Sequence, residues 1–150
     1  MLPKKHFLYG LIFSLVIYLI FPINLLEATI IFISSFVLDL DHYLYFIFRE
    51  KTFGLKKAYQ RFIEKGKKFK GLSKEEKKRY VAGFYALHGI EPLIILGILG
   101  YFISSYFYFI LIGFAFHLIL DYIHCIQEFH YPLKISVIWD YFKFRKLKKL

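Results

Sequence analysis

The sequence predicts an all-α fold: an integral membrane bundle of four transmembrane helices, with a basic amphipathic helical insert between the second and the third helix. Three observations lead to this fold class. The 150 residues are 58% hydrophobic and 22% aromatic, with a mean hydropathy of +0.49, and a soluble domain of this size could not bury so much apolar surface. The apolar residues are concentrated in four segments. All 21 Lys and Arg residues, in a chain of net charge +10, lie outside those segments.

The first and second segments are predicted at residues 6–21 and 27–48. Pro22 ends the first segment, because proline has no N–H to donate within a helix. Lysines followed by an apolar run are also typical of a signal peptide. No small-residue cleavage site follows this run, however, so we expect an uncleaved helix. At about 1.5 Å per residue the first helix is short for a hydrocarbon core of about 30 Å, whereas the second is long enough to span it.

The insert covers residues 49–79 and is basic and mostly polar. Its apolar residues recur at near-helical spacing among lysines, which predicts an amphipathic helix lying on anionic lipid headgroups. These apolar residues are Leu55, Tyr59, Phe62, Ile63 and Phe69. Ser73 and Glu76 then have the spacing of a capping box, which predicts that a further helix begins there.

The third and fourth segments are predicted at about residues 80–103 and 106–126. The helix begun by the capping box can run into the third segment, with Pro92 kinking or restarting it. The tail, residues 131–150, ends in a basic run and is predicted to be an interfacial anchor. Its residues 133–139 also alternate as a strand does, so its secondary structure stays open.

The distribution of positive charge predicts the orientation. The connections on one side of the predicted bundle, residues 22–26 and 100–105, contain no Lys or Arg. By the positive-inside rule the opposite side is cytoplasmic, and both termini lie there. We therefore expect residues 1–150 to form a single multi-pass domain in the inner (cytoplasmic) membrane. Its predicted partners are the bilayer and anionic headgroups, nucleic acid is disfavoured, and the oligomeric state stays open.

Ionisable residues inside the apolar segments define the candidate site. Such residues are expensive to bury in a membrane, so they usually pair, bind an ion or line a polar cavity. His117, Asp121 and His124 share one face of the fourth segment, because positions i, i+4 and i+7 superpose on a helix. Threading the helices up and down brings His117 to the depth of Asp39 and His88, roughly 12–14 Å below the cytoplasmic surface. The whole predicted set is His6, Asp39, Asp41, His42, His88, Glu91, His117, Asp121 and His124.

The charge of this set points to a metal. Its four carboxylates would carry about four negative charges in a low dielectric, which is prohibitive without protons or counter-charge. One or two divalent cations supply that counter-charge. Mixed imidazole and carboxylate ligands suit zinc, manganese or iron rather than calcium, and zinc is preferred. Asp39 and His42 share a helix face at i, i+3, as do His88 and Glu91, whereas Asp41 points elsewhere and is expected to bridge metals or orient a histidine.

The same residues form a motif series that resembles the inner-membrane metal-dependent hydrolases, the family typified by the LexA-binding membrane hydrolase. The motifs are His6 with Gly10, Asp39-Leu40-Asp41-His42, the segment around His88, and His117-Leu118-Ile119-Leu120-Asp121. The resemblance covers the four apolar segments but not the insert, and the family is similar in layout to zinc-dependent phospholipase C. This chain departs from the family at the third motif, where an Arg and a Thr-His-Ser are missing and Glu91 is the candidate replacement ligand.

The site and the resemblance together imply a metal-dependent hydrolase that cleaves an ester, above all a phosphoester, of a lipid or amphiphile at the cytoplasmic leaflet. The metal would activate water and polarise the ester oxygen, and Asp39, Asp41 and Glu91 are the candidate general bases. Two alternatives remain. A divalent-metal transporter would need polar residues in the other membrane half, where the segments have almost none. A membrane-anchored interaction protein would use the insert and keep a structural or vestigial metal site.

Overall fold

The computed structural model describes residues 3–77, 79–81, 83–130 and 136–149. Two short strands, β1 (Tyr80–Val81) and β2 (Lys148–Lys149), pair in parallel. Apart from this pairing the regular structure of the described residues is helical, which confirms the predicted all-helical class. The helices are α1 (Pro3–Ile20), α2 (Leu25–Val37), α3 (Leu40–Glu50), α4 (Leu55–Lys70), α5 (Lys74–Lys77), α6 (Ile90–Phe102), α7 (Tyr106–Phe129) and α8 (Val137–Lys146).

Three stretches of the described chain are long and apolar enough to cross a membrane. They are Pro3–Ile20, Leu25–Glu50 and Tyr106–Glu128. Helix α6 is also apolar but has 13 residues, a length of about 20 Å against a hydrocarbon core of about 30 Å. The structure thus has a helix that begins at Ile90, whereas the sequence predicts a longer third segment that begins at about residue 80. Pro92 is its third residue, in the first turn, where a missing N–H costs no helical hydrogen bond.

The starts and stops of the first two helices follow from local chemistry. Helix α1 ends at Ile20, two residues before Pro22, as predicted. Helix α2 begins with a capping box. The Asn24 side chain accepts from the Glu27 N–H at 3.0 Å, and the Glu27 carboxylate accepts from the Asn24 N–H at 2.7 Å. Two N–H groups that the helix itself cannot satisfy are therefore bonded.

A tight turn joins α2 to α3 inside the predicted second segment. The N–H groups of Asp39, Asp41 and His42 each donate to the carbonyl three residues earlier, at 3.2 Å. This is the bonding of a 3₁₀ turn, which winds more tightly than an α-helix. The acidic motif of the second segment therefore lies at a local change of helical winding.

Helix α4 carries most of the basic residues of 49–79, and it buries the Phe69 side chain to 2% exposure. The predicted capping box follows it: the Glu76 carboxylate accepts from the Ser73 N–H at 2.9 Å, and the Ser73 hydroxyl accepts from the Glu76 N–H at 3.2 Å. The helix that it begins ends at Lys77 and does not run into the third segment. Tyr80–Val81 instead pairs with β2, and the described residues 83–89 have no regular secondary structure.

The C-terminal tail contains helix α8. Residues 133–135, the first part of the alternating stretch 133–139, lie outside the described residues. Within the described part, Val137–Lys146 is helical, so the alternation does not produce a strand there. The Ser136 hydroxyl caps the helix by accepting from the Trp139 N–H at 3.2 Å.

The buried side chains of the described chain are more often polar or charged than hydrophobic. Eight of its buried side chains are polar or charged and six are hydrophobic. Large apolar side chains point outward instead: Leu19 is 73% exposed, Ile20 68% and Tyr101 77%. Water would not favour this arrangement, whereas lipid removes the need to hide apolar surface and makes polar groups the ones to be enclosed.

Small residues bring the long helices close together. Helix α2 packs against both α1 and α7, and α6 packs against α7. A Cβ added at Gly10 of α1 would collide with Ser35 of α2, and a Cβ added at Gly113 of α7 would lie 2.5 Å from the Ile31 carbonyl oxygen of α2. Small side chains at such crossings are the usual means by which membrane helices reach van der Waals contact. This close packing positions the polar side chains described next.

Candidate metal centre

Four side chains from three parts of the chain form a central cluster: Asp39, His88, His117 and Asp121. Asp39 lies in the turn between α2 and α3, His88 precedes α6, and the other two are one turn apart on α7. His117 Nε2 lies 3.3 Å from His88 Nε2, 3.7 Å from Asp121 Oδ2 and 3.8 Å from Asp39 Oδ1, and His88 Nε2 lies 3.6 Å from Asp121 Oδ2. His88 and His117 are 1% and 0% exposed.

These separations fit the ligand shell of a small divalent metal. Zinc binds imidazole nitrogen and carboxylate oxygen at about 2.0–2.2 Å, so tetrahedral ligand atoms lie about 3.3–3.6 Å from one another. The four separations given above for the central cluster run from 3.3 to 3.8 Å. The cluster is therefore close to the size that metal coordination requires, with the longest separations about 0.1–0.2 Å above that range, and its ligand types suit zinc, manganese or iron.

The ring orientations of the two histidines are fixed from outside the cluster. His117 Nδ1 lies 2.8 Å from the carbonyl oxygen of Ser35. A carbonyl can only accept, so we assign the ring proton to Nδ1. His88 Nδ1 lies 2.9 Å from Asp41 Oδ2, which also accepts from the Leu87 N–H at 3.1 Å. We assign its proton to Nδ1 for the same reason.

Two nitrogen lone pairs consequently face each other in the centre of the cluster. With Nδ1 protonated on both rings, neither His88 Nε2 nor His117 Nε2 has a proton to donate across their 3.3 Å separation. Two acceptors at this distance repel unless a cation or an added proton lies between them. The adjacent carboxylates of Asp39 and Asp121 favour positive charge at the same point. This arrangement is what a metal-binding histidine pair requires.

Two further histidines surround the cluster. His6 Nε2 lies 3.1 Å from Asp121 Oδ1, and its ring stacks on His117 with centroids 3.9 Å apart. His6 Nδ1 is buried with no hydrogen-bond partner among the described residues. His42 Nε2 lies 3.9 Å from Asp39 Oδ1, and its ring centroid is 4.6 Å from that of His88. His6 therefore either orients Asp121 or ligates in its own right.

Seven of the nine residues singled out in the sequence belong to this assembly. Three overlapping trios have ligand atoms within 4.8 Å of one another: His6, His117 and Asp121; Asp39, His88 and His117; Asp41, His42 and His88. Asp41 holds a histidine rather than facing the centre, which is one of the two roles predicted for it.

Glu91 and His124 are not brought into these trios. The Glu91 carboxylate accepts from the Ser136 hydroxyl and from the N–H groups of Val137 at 2.8 Å and Ile138 at 3.2 Å, so it caps α8. The predicted shared face of His88 and Glu91 does not exist, because His88 precedes the helix. His124 is partly exposed on α7, about 10 Å beyond His117 along the axis.

Two contributors to the site were not foreseen in the sequence. The Ser35 carbonyl is a backbone group, and no residue type could have signalled it. The neighbouring Ser34 and Ser35 inside an apolar helix do indicate a close helix crossing. Tyr85, whose ring centroid lies 3.8 Å from that of His42, is 8% exposed and covers the same face. Nothing in the spacing of Tyr85 distinguishes it from the many other aromatic residues.

Comparisons with protein-family models, with curated proteins and with solved structures find no match to this chain. The fold and the cluster themselves define a class: a helical protein with membrane-length apolar helices and a buried assembly of histidines and aspartates that could hold a metal.

Proposed function

We propose that the protein is a membrane-bound metal-dependent hydrolase that cleaves an ester, above all a phosphoester, of a lipid or amphiphile at the cytoplasmic leaflet. The observation that supports this proposal best is the pair of Nε2 atoms of His88 and His117, which face each other at 3.3 Å between two carboxylates. The resemblance to the inner-membrane metal-dependent hydrolases supports the same chemistry.

The residues present fit a divalent metal. Asp39, His88, His117 and Asp121 would hold it, in the mixed nitrogen and oxygen set that zinc commonly takes. Asp39 Oδ2 is a further buried acceptor with no hydrogen-bond partner among the described residues. Buried acceptors without donors are costly, and positive charge at the cluster would offset that cost. His6, His117 and Asp121 could hold a second ion, so the proposed number of metals is one or two.

A metal bound by these residues would supply Lewis-acid chemistry: it would lower the pKa of a coordinated water toward neutral pH and polarise an ester oxygen. The chain contributes the remaining functions. Ser35 and Asp41 hold the two imidazoles with their Nε2 atoms toward the centre, and His6 holds Asp121 at 3.1 Å. The second oxygen of Asp39 would take a proton from the attacking water, as a general base does.

The membrane context supports a lipid or amphiphile as substrate. The cluster lies among the helices that are long and apolar enough to cross a membrane. We place the basic residues of 49–79 on anionic headgroups of the cytoplasmic leaflet, and α6 as a fourth, shorter crossing of a four-helix bundle. The positive-inside rule favours this orientation, with both termini cytoplasmic.

The test is metal content followed by hydrolysis. Wild-type protein purified in neutral detergent should contain zinc, manganese or iron in stoichiometric amount, measured by elemental mass spectrometry. His117→Ala should lose it, whereas His124→Ala, a matched change on the same helix outside the trios, should retain it. Metal-loaded protein should then hydrolyse one class among phosphodiester, phosphomonoester and carboxylic ester amphiphiles.

Two results would count against the proposal. Wild-type protein that contains no metal and takes up none would remove the metal-dependent chemistry, and an added proton would then be the remaining means of separating the two nitrogens. Stoichiometric metal without hydrolysis of any amphiphile would favour a structural metal in a membrane-anchored interaction protein.

A further inference from the structure

A cavity of about 480 Å³ lies between α3 and α4, beside the central cluster. Cavities of this size accommodate small-molecule ligands. Asp39 and His42 border it, so it reaches the candidate metal centre. Its walls are largely apolar, and seven of the lining residues are Phe or Tyr, among them Phe36, Tyr45, Phe46 and Phe62. A long apolar group fits such walls, because burial of apolar surface is favourable without any specific partner.

Three cationic side chains line the same cavity: Arg49 of α3, and Arg61 and Lys65 of α4. The Glu50 carboxylate oxygen Oε1 lies 3.4 Å from Arg61 Nη2 and 3.8 Å from Arg49 Nε. Lys65 Nζ lies 5.3 Å from the centre of the Tyr45 ring. Asp39 and Glu50 are the two carboxylates that line the cavity with these three cations, so the charged groups of its lining sum to one positive charge when all are ionised.

The proximity of these cations affects the pKa of Lys65. Burial, with the nearby Arg49 and Arg61 cations, lowers the pKa of Lys65 to about 8. Lys65 thus faces Tyr45, Arg49 and Glu50 on α3 and Arg61 on its own helix. An anion bound among the three cations would relieve this repulsion and form charge-assisted hydrogen bonds, to which arginine is especially suited.

Asp39 of the cluster and Arg49 of the cavity lie at opposite ends of α3: Asp39 immediately precedes the helix, and Arg49 is in its last turn. Arg49 follows Asp39 by ten residues, which is about 15 Å along a helix axis, although its side chain leans back toward the helix start. An anionic group held at the cations is therefore not the group that reaches the central cluster. An apolar spacer along the aromatic wall would connect the two.

We propose that this cavity binds an anionic amphiphile, with its charged group at Arg49, Arg61 and Lys65 and its apolar part along the aromatic wall toward the cluster. Binding of the amphiphile does not depend on the proposed hydrolytic function. Only the claim that this ligand is the substrate rests on that function. It narrows the substrate class to amphiphiles whose anionic group is separate from the ester that is cleaved.

The test uses hexadecanesulfonate, an anionic amphiphile that has no ester to hydrolyse, as a competitor of a fluorescent analogue in neutral-detergent micelles. The variant R61Q/K65Q removes two cations from the cavity. The matched control K67Q/K68Q removes two exposed cations of the same helix that do not line the cavity. We expect R61Q/K65Q to weaken binding by about tenfold or more and K67Q/K68Q to change it little. Binding of hexadecanol should change little in either double variant.

Equal weakening in the two double variants would overturn the inference, since it would reflect only general attraction of anions to a basic helix. Ala58→Leu, which places a larger side chain in the cavity, is the second variant to be tested if R61Q/K65Q fails to fold. It should weaken both amphiphiles, and unchanged binding of both would also overturn the inference. Metal content measured on the same samples separates the two proposals: a metal-free protein with the expected sulfonate selectivity would retain this inference and remove the hydrolase.

Discussion

The substitution Gly113→Ala tests whether close packing of α2 and α7 sets the geometry of the central cluster. Gly113 lies one turn before His117 on α7, and the added Cβ would be 2.5 Å from the Ile31 carbonyl oxygen. Real Cβ atoms essentially never approach a heavy atom within 3.0 Å, so the two helices must separate by at least about 0.5 Å. The oxygen is part of the backbone and cannot rotate away as a side chain could.

That displacement acts directly on the site. The Ser35 carbonyl on α2 holds His117 Nδ1 at 2.8 Å, so separating the helices lengthens this hydrogen bond. Metal sites tolerate deviations of about 0.2 Å in ligand distance, and losing an orienting partner typically reduces metal affinity by about 10- to 100-fold. We expect a loss in this range, together with about 1–3 kcal/mol of destabilisation from overpacking.

The assay is competition for zinc with a chromophoric chelator on detergent-solubilised protein. Gly97→Ala is the control: its added Cβ would meet only Leu111 Cδ1 at 3.6 Å, an ordinary contact. It should leave zinc affinity unchanged. If folded Gly113→Ala binds zinc within about threefold of wild type, or if Gly97→Ala loses as much affinity, helix spacing does not set the site.

Three further predictions concern other parts of the same account. Asp41→Asn removes the charge that holds His88 Nδ1, so metal affinity should fall by about 10- to 100-fold in the same chelator competition, and an unchanged affinity would deny Asp41 this role. Binding of hexadecanesulfonate should be strong below about pH 8, where Lys65 is charged, and weaken as the pH rises through about 8; Lys65→Arg should remove this fall, and its persistence would contradict the assignment. Glu91→Gln should speed hydrogen exchange at the start of α8, because an amide cannot accept from three donors as the carboxylate does, and it should leave metal content intact. Loss of metal in Glu91→Gln would instead indicate that Glu91 contributes to metal binding.

The sequence predicts those parts of the molecule that depend on local spacing. His117 and Asp121 share a helix face because four residues separate them, and the structure has this arrangement in α7. The capping box at Ser73 and the stop at Pro22 are equally local. The convergence of Asp39 and His88 on His117 is predicted from a single assumption, that ionisable groups in the apolar segments lie at one depth. The structure brings these three residues together.

The remainder depends on tertiary contacts that no spacing encodes. The run containing Asp39 reads as continuous helix, yet a 3₁₀ turn interrupts it. The stretch before Glu91 reads as helix too, but its described residues 83–89 are not helical, and Glu91 bonds to α8, more than forty residues away in sequence. The cavity between α3 and α4 likewise depends on how α4 folds back, which its amphipathic pattern does not specify.

The central claim is that a divalent metal lies between His88 and His117. X-ray absorption at the zinc edge of zinc-loaded protein measures this directly. We predict a shell of nitrogen and oxygen at about 2.0–2.2 Å with the scattering signature of two imidazoles, reduced to one imidazole in His88→Gln and unchanged in His124→Ala. A shell of oxygen alone, or a wild-type protein that takes up no zinc, would contradict it.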